Sequence, residues 1–257
     1  MRLSDALGLG DRELVAFVGA GGKKTAMRRL AFEGDERGRD VGYTTTTRMP
    51  PPPDLPLVVA DLEARPRGLA GRETPVAFAR ERVRDPERVA RKVRGFDPAP
   101  LQSAFDRGAF DWLVVKADGA RMREFKAPGS GEPVVPDGAT RVVPVASVAA
   151  VGEPLTGAAV HRPERVASTT GTAVGDAITP ETVGRVLASR DGGLKGVPSS
   201  AVVTPIVNKA DTPERQETAR AVLDHALART DRFARGLVAS FEADVCFAVG
   251  GEPNRRS

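Results

Sequence analysis

The sequence predicts a three-layer α/β fold, a mainly parallel sheet with helices on both faces. Two observations predict the layers. Short β-branched apolar runs alternate with segments of helical periodicity, the pattern of strands joined by crossover helices. Several of those runs are apolar almost throughout, as strands covered on both faces require. The chain of 257 residues has no low-complexity linker, and residues 1–257 read as a single domain.

The elements follow in order. "LVAFVG" (14–19) is the first strand, and a helix over about 22–33 follows the glycine-rich turn after it. "DVGYTTT" (40–46) is the second strand, and the proline block "RMPPPPDLP" (48–56) is a stiff connection to "LPLVVAD" (55–61). Helices over about 86–95 and 99–108 lead to "FDWLVVKAD" (110–118), in which Trp112 reads as core. "KAPGSGEPVVPDG" (126–138) is a polar loop of the length that tends to be mobile or functional. "TRVVPVAS" (140–147) and "AVVTPIVN" (201–208) are strands separated by helices over about 161–170 and 180–189. The helix over 212–229 has a Thr cap and Pro in its first turn, and "DVCFAVG" (244–250) is the last strand.

Composition excludes several classes. The formal charge is +4, but 31 arginines are spread along the chain beside 34 acidic residues, without the basic stripe of a nucleic-acid binder. One cysteine, Cys246, allows no internal disulfide and no cysteine-cluster metal site, and its apolar surroundings suggest a buried inert thiol. No apolar stretch approaches the roughly 18 residues of a membrane span, and the N-terminus lacks a signal-peptide pattern. A cytoplasmic protein without membrane contact is expected.

The first chemical signal is "VGAGGKKT" (18–25). A strand, a glycine turn and a helix start make an anion site: glycines admit the phosphates, free N–H groups point inward and lysine supplies charge. Gly19, Gly21 and Gly22 shape the turn, and Lys23 follows Gly22 as a phosphate lysine should. Lys24 then stands where a Mg2+-binding hydroxyl is usual, with Thr25 its nearest replacement. A shift of one residue makes Lys24 and Thr25 the working pair, so the register stays open. The competing reading is a glycine turn with two surface lysines.

The second signal is "NKAD" (208–211), off a strand and before a capped helix. Asp211 is an acceptor only and matches the two donors on one edge of guanine, whereas adenine leaves it partly unpaired. Asn208 would tie this loop to the glycine loop, and the Lys209 stem would lie on the base. Chance supplies Asn-Lys-x-Asp about 0.004 times in this composition. The alternative is a turn capping the helix at 212. Asp118, at the end of its strand, is placed to hold Mg2+ or its water, or else simply turns the chain. Lys116 lies on the same strand face as Asp118 and would add charge near the phosphates or pair with it. The hydroxyls of "TTTT" (44–47) suit a switch segment or plain strand propensity.

These stretches, with "KADGARMREFKAPGSGEPVVP" and "VGEPLTGAAVHRPERV", resemble the YqeC-like family over about residues 12–211. Its members are described as accessory proteins of selenium-cofactor or selenium-dependent molybdenum-hydroxylase maturation. The resemblance implies a P-loop NTPase-like fold and marks Asp118, Lys126 and Glu132 as motif positions. Lys116 departs from it, standing where the family is associated with an acidic residue.

Three functions follow as expectations. The leading one is a GTP-binding accessory protein with slow hydrolysis, with Lys23 and Asp118 as catalytic candidates: backbone N–H groups and Lys23 hold the phosphates, and Mg2+ is held by Thr25 and Asp118. Its partners would be a client metalloenzyme or a cofactor precursor, and analogy of fold allows a homodimer. The others are a kinase or nucleotidyltransferase with its acceptor site in loop 126–138, and a non-hydrolysing nucleotide sensor.

Overall fold

The computed structural model describes residues 1–62, 74–84 and 92–251. In chain order its elements are α1 (Leu3–Leu7), β1 (Glu13–Gly19), α2 (Lys23–Asp35), β2 (Val41–Thr45), β3 (Arg48–Met49), β4 (Leu57–Val59) and β5 (Val76–Ala79). Then come β6 (Glu81–Val83), β7 (Lys92–Arg94), α3 (Pro98–Asp106), β8 (Trp112–Lys116), β9 (Phe125–Lys126), β10 (Arg141–Ser147), β11 (Val160–His161) and α4 (Pro163–Thr170). The chain continues through α5 (Pro180–Ala188), β12 (Val202–Val203), β13 (Ile206–Asn208), α6 (Pro213–Leu227), β14 (Arg235–Ser240) and β15 (Val245–Gly250).

The central sheet runs β15-β14-β13-β10-β1-β8-β2-β5-β4, with β12 pairing beside β10. Every pairing is parallel except that of the edge strand β15 with β14. β1 shows why the sequence gives layers. Its Leu14, Ala16 and Val18 join the core that contains Leu101 of α3, Val183 and Val186 of α5 and Val222 of α6. Its Val15 and Phe17 join the opposite core, with Leu3 and Leu7 of α1 and Met27 and Leu30 of α2. Alternation along one strand therefore feeds two apolar layers, and the three-layer α/β architecture follows.

Some expected elements differ. The run 201–208 is two short strands, since Pro205 between them has no N–H to give the ladder. Of the expected helix 86–95, residues 86–91 lie outside the described set, and 92–94 is strand β7, paired antiparallel with β6 and β3. β5 and β14 are sheet members that sequence patterning missed. Among the described residues no helix is long and apolar enough to cross a membrane.

Candidate functional site

The strand order sets the site. β8, β1, β10 and β13 are consecutive and parallel, so their C-terminal ends bring Asp118, the glycine loop, Ser147 and Asn208 to one edge. Ligands of open α/β sheets bind at such an edge.

The glycine loop is sterically determined. Gly21 (φ 72°) and Gly22 (φ 114°) occupy the left-handed region, which L-residues reach only at a cost. A Cβ on Gly21 would lie 2.5 Å from the Ser147 backbone, and one on Gly22 would run into Asn208 Nδ2. Gly19 packs equally close to the Val145 carbonyl. α2 starts at Lys23 with no side-chain cap on Gly22. The first N–H groups of a helix lack intrahelical acceptors, and among the described residues those of Gly22, Lys23 and Lys24 have no acceptor in the protein. The N–H groups of Gly19, Ala20 and Gly21 are instead taken by Asp118, Val145 and Arg123.

The two lysines have different surroundings. Lys23 is buried and turned inward, onto the Gly19 carbonyl and 2.5 Å from Asp118 Oδ1. Lys24 is half-buried, with Nζ 4.0 Å from Met122 Sδ, and Thr25 is exposed in the first turn.

Asp118 is 1% exposed. Its Oδ2 accepts from the Gly19 N–H at 2.9 Å and lies 2.9 Å from Lys126 Nζ, so one carboxylate bridges two ammonium groups. Lys126 continues to Glu132 Oε2 at 2.5 Å, and Glu132 accepts from Arg162 at 3.1 and 3.3 Å. Burial disfavours the ionised Asp118, but Lys23 and Lys126 outweigh it and hold the carboxyl below its ordinary range. Burial likewise opposes Glu132, whose bonds to Arg162 and Lys126 bring it below the usual value. Lys116 does not pair with Asp118: its ammonium donates to Thr47 Oγ1 at 2.8 Å and the Arg48 carbonyl at 3.0 Å. Burial, then the Lys23 charge, pull Lys116 down to about 7. His161 falls to about 4 through burial and the charges of Arg162 and Lys126. The site thus gathers Lys23, Lys116, Lys126 and Arg162 around two carboxylates, a surplus of positive charge suited to a polyanion.

The "NKAD" segment reaches the same edge. Asn208 Nδ2 donates to the Gly21 carbonyl at 3.1 Å, while its buried Oδ1 has no partner among the described residues. Lys209, at φ 64°, reaches across to Glu124 Oε1 at 2.6 Å. Asp211 accepts from Ser240 Oγ and from Arg215 at 3.1 Å. The α6 cap is Thr212, whose hydroxyl accepts from the Arg215 N–H. Sequence reasoning singled out neither Glu124 nor Ser240; one lies on the segment crossing the glycine loop, the other at the end of β14.

The "TTTT" hydroxyls are used internally: Thr44 donates to the Phe78 carbonyl, Thr45 to that of Lys116 and Thr46 to that of Val134, each at 2.7 Å. Mg2+ does not fit at Asp118 in this arrangement, since both carboxylate oxygens face ammonium groups and Thr25 is turned to solvent. Among the described residues no cluster of three or more His, Cys, Asp or Glu offers a metal site. Cys246 is half-buried, with burial raising its thiol to about 11.

Comparison with known proteins adds a family. The model described as "YqeC protein" matches residues 15–164. A protein of Escherichia coli (strain K12) described as "Uncharacterized protein YqeC" is 27% identical over 196 residues, covering 76% of this chain and 75% of its own length. No solved structure matches.

Proposed function

The chain belongs to the YqeC family, and from that premise we propose that it is a guanine-nucleotide-binding accessory protein in the maturation of a selenium- or molybdenum-cofactor enzyme. The observation that carries the nucleotide part is the bond from Asn208 Nδ2 to the Gly21 carbonyl, which makes the two sequence motifs one structure. The accessory role rests on the family resemblance alone.

In this reading the β- and γ-phosphates lie on the free N–H groups at the start of α2. Lys23 exchanges its contact with Asp118 for a phosphate oxygen. Lys126 and Lys116 add charge behind it, so the neutralisation that such ligands need comes from lysines. Asp211 reads the guanine N1–H and N2–H2 once its exposed pair with Arg215 opens, a contact of the kind worth little in water.

Calorimetry of the purified protein with GTP, ATP and CTP tests this, alongside Asp211→Ala and Asn208→Ala. GTP should bind best, and Asp211→Ala should reduce its advantage over ATP by roughly 10- to 100-fold. Equal binding of all three nucleotides, or a preference indifferent to Asp211, would overturn the guanine reading.

A second reading, a sensor that binds without hydrolysis, is favoured by the clasp on Asp118. In the closed clasp Asp118 is committed to Lys23, Lys126 and the Gly19 N–H, and Lys116 to Thr47 and the Arg48 carbonyl, so neither is set to orient water until the clasp opens. Single-turnover assays with GTP separate the two readings: release of phosphate means hydrolysis, and tight binding without release means a sensor.

A further inference from the structure

At the opposite, N-terminal edge of the sheet, two arginines face one glycine. Arg141 opens β10 and is fully engaged: it donates to the carbonyls of Leu7 and Gly8 at the end of α1 and lies 3.1 Å from Glu13 Oε1. Glu13 is spent there, since it also accepts from the Gly10 N–H and from Thr140 Oγ1. Arg235 opens β14 and is only 9% exposed. Among the described residues its guanidinium has no hydrogen-bond acceptor and no carboxylate within ion-pair distance, and none of its nitrogens is a fully buried atom, so its free N–H groups reach solvent. A guanidinium with no partner in the protein and its N–H groups open to solvent is available to an incoming acceptor.

The two guanidinium groups converge. A Cβ built on Gly8 would lie 3.4 Å from Arg235 Nη2 and 3.9 Å from Arg141 Nη1. Gly8 closes α1 in the left-handed conformation at φ 66° and carries no side chain into that space. Burial and the neighbouring Arg141 charge both work against ionised Arg235.

We propose that Arg235, with Arg141 beside it, forms a second anion site for a phosphate-sized oxyanion, bound against Gly8 between α1 and β14. A guanidinium presents planar N–H pairs that match phosphate oxygens, and a small oxyanion supplies the acceptors Arg235 lacks. The site is separate from the glycine loop and does not depend on the nucleotide reading.

The test is thermal unfolding in inorganic phosphate at constant ionic strength, with chloride as the control. Because phosphate also suits the glycine loop, the measurement is made on Lys23→Ala and on Lys23→Ala/Arg235→Met. The expected result is a saturable rise in Tm in the first protein that is lost in the second. No phosphate-specific rise in Lys23→Ala, or an equal rise with Arg235→Met present, would overturn the proposal. If Lys23→Ala does not fold, phosphate stoichiometry decides in the otherwise unaltered chain. Arg235→Met should bind one equivalent fewer than the parent, and an unchanged stoichiometry sinks the idea. Glycerol phosphate in place of phosphate shows whether the oxyanion can be carried on a larger molecule.

Discussion

Asp118 is the residue on which the candidate site turns, because its single carboxylate keeps two buried lysines compensated. Removing that charge strands Lys23 and leaves Lys126 with Glu132 alone, and breaking a buried pair in this way costs about 3–5 kcal/mol. Asp118→Asn should therefore lower stability by that order in urea unfolding, and a bound phosphate ligand should restore much of it by supplying the lost charge. A variant as stable as the parent would show that the lysines find other partners. Lys116 gives a pH signature. Its folded pKa, about 7, lies below the ordinary lysine value of 10.5 because of burial. The unfolded chain then binds more protons between those values, so this group's contribution to stability rises with pH from about 7 to 10.5 and is flat below. Lys116→Met should flatten the rise of Tm over that window, and an unchanged slope would place the titration elsewhere.

The glycine loop shows how tightly one turn between two elements is specified. Gly22→Ala places a Cβ at φ 114° and against Asn208 Nδ2, the atom that holds the Gly21 carbonyl. Strain and collision together should cost about 2–4 kcal/mol. Gly38→Ala is the control: its φ is 68° but nothing lies within 4 Å of its Cβ, so strain alone, about 1–2 kcal/mol, should appear. Equal losses in denaturant titrations would mean that the Asn208 contact adds nothing. The loop and "NKAD" were legible because each combines rare residue types at fixed spacing. Strands apolar along most of their length, such as β1, β8 and β10, were legible through their composition. β14 was not, because "RGLVAS" begins with Arg and Gly and ends with Ser, which leaves only a short apolar run. β5 is a four-residue run whose partners β2 and β4 are distant in sequence, and pairing of that kind leaves no local pattern. Glu124 and the clasp on Asp118 were illegible for the same reason. They exist only once the chain from β8 to β9 crosses over the glycine loop, where Arg123 and Glu124 accept from the Gly21 and Ser147 N–H groups.

At the scale of the molecule, the parallel sheet separates two cationic clusters by strand direction. Its C-terminal edge carries the lysine-rich glycine-loop site, and its N-terminal edge carries Arg141 and Arg235 at the starts of β10 and β14. Strands of six or seven residues rise about 3.3 Å per residue, so the two edges stand roughly 20 Å apart. Among the described residues no shared side chain joins them, and at physiological ionic strength that separation exceeds the screening length of about 8 Å. Effects at such distances normally add to within about 0.5 kcal/mol. GTP and phosphate should consequently stabilise the protein additively: the gain in unfolding free energy with both ligands should equal the sum of the two separate gains. The measurement is denaturant unfolding with each ligand alone and with both, at GTP concentrations that saturate the glycine loop and exclude phosphate from it. A gain beyond additivity would mean that β10 and β14 transmit strain from one edge to the other. A deficit would mean that the two ligands compete for one site, and the assignment of Arg235 to a separate one would fail.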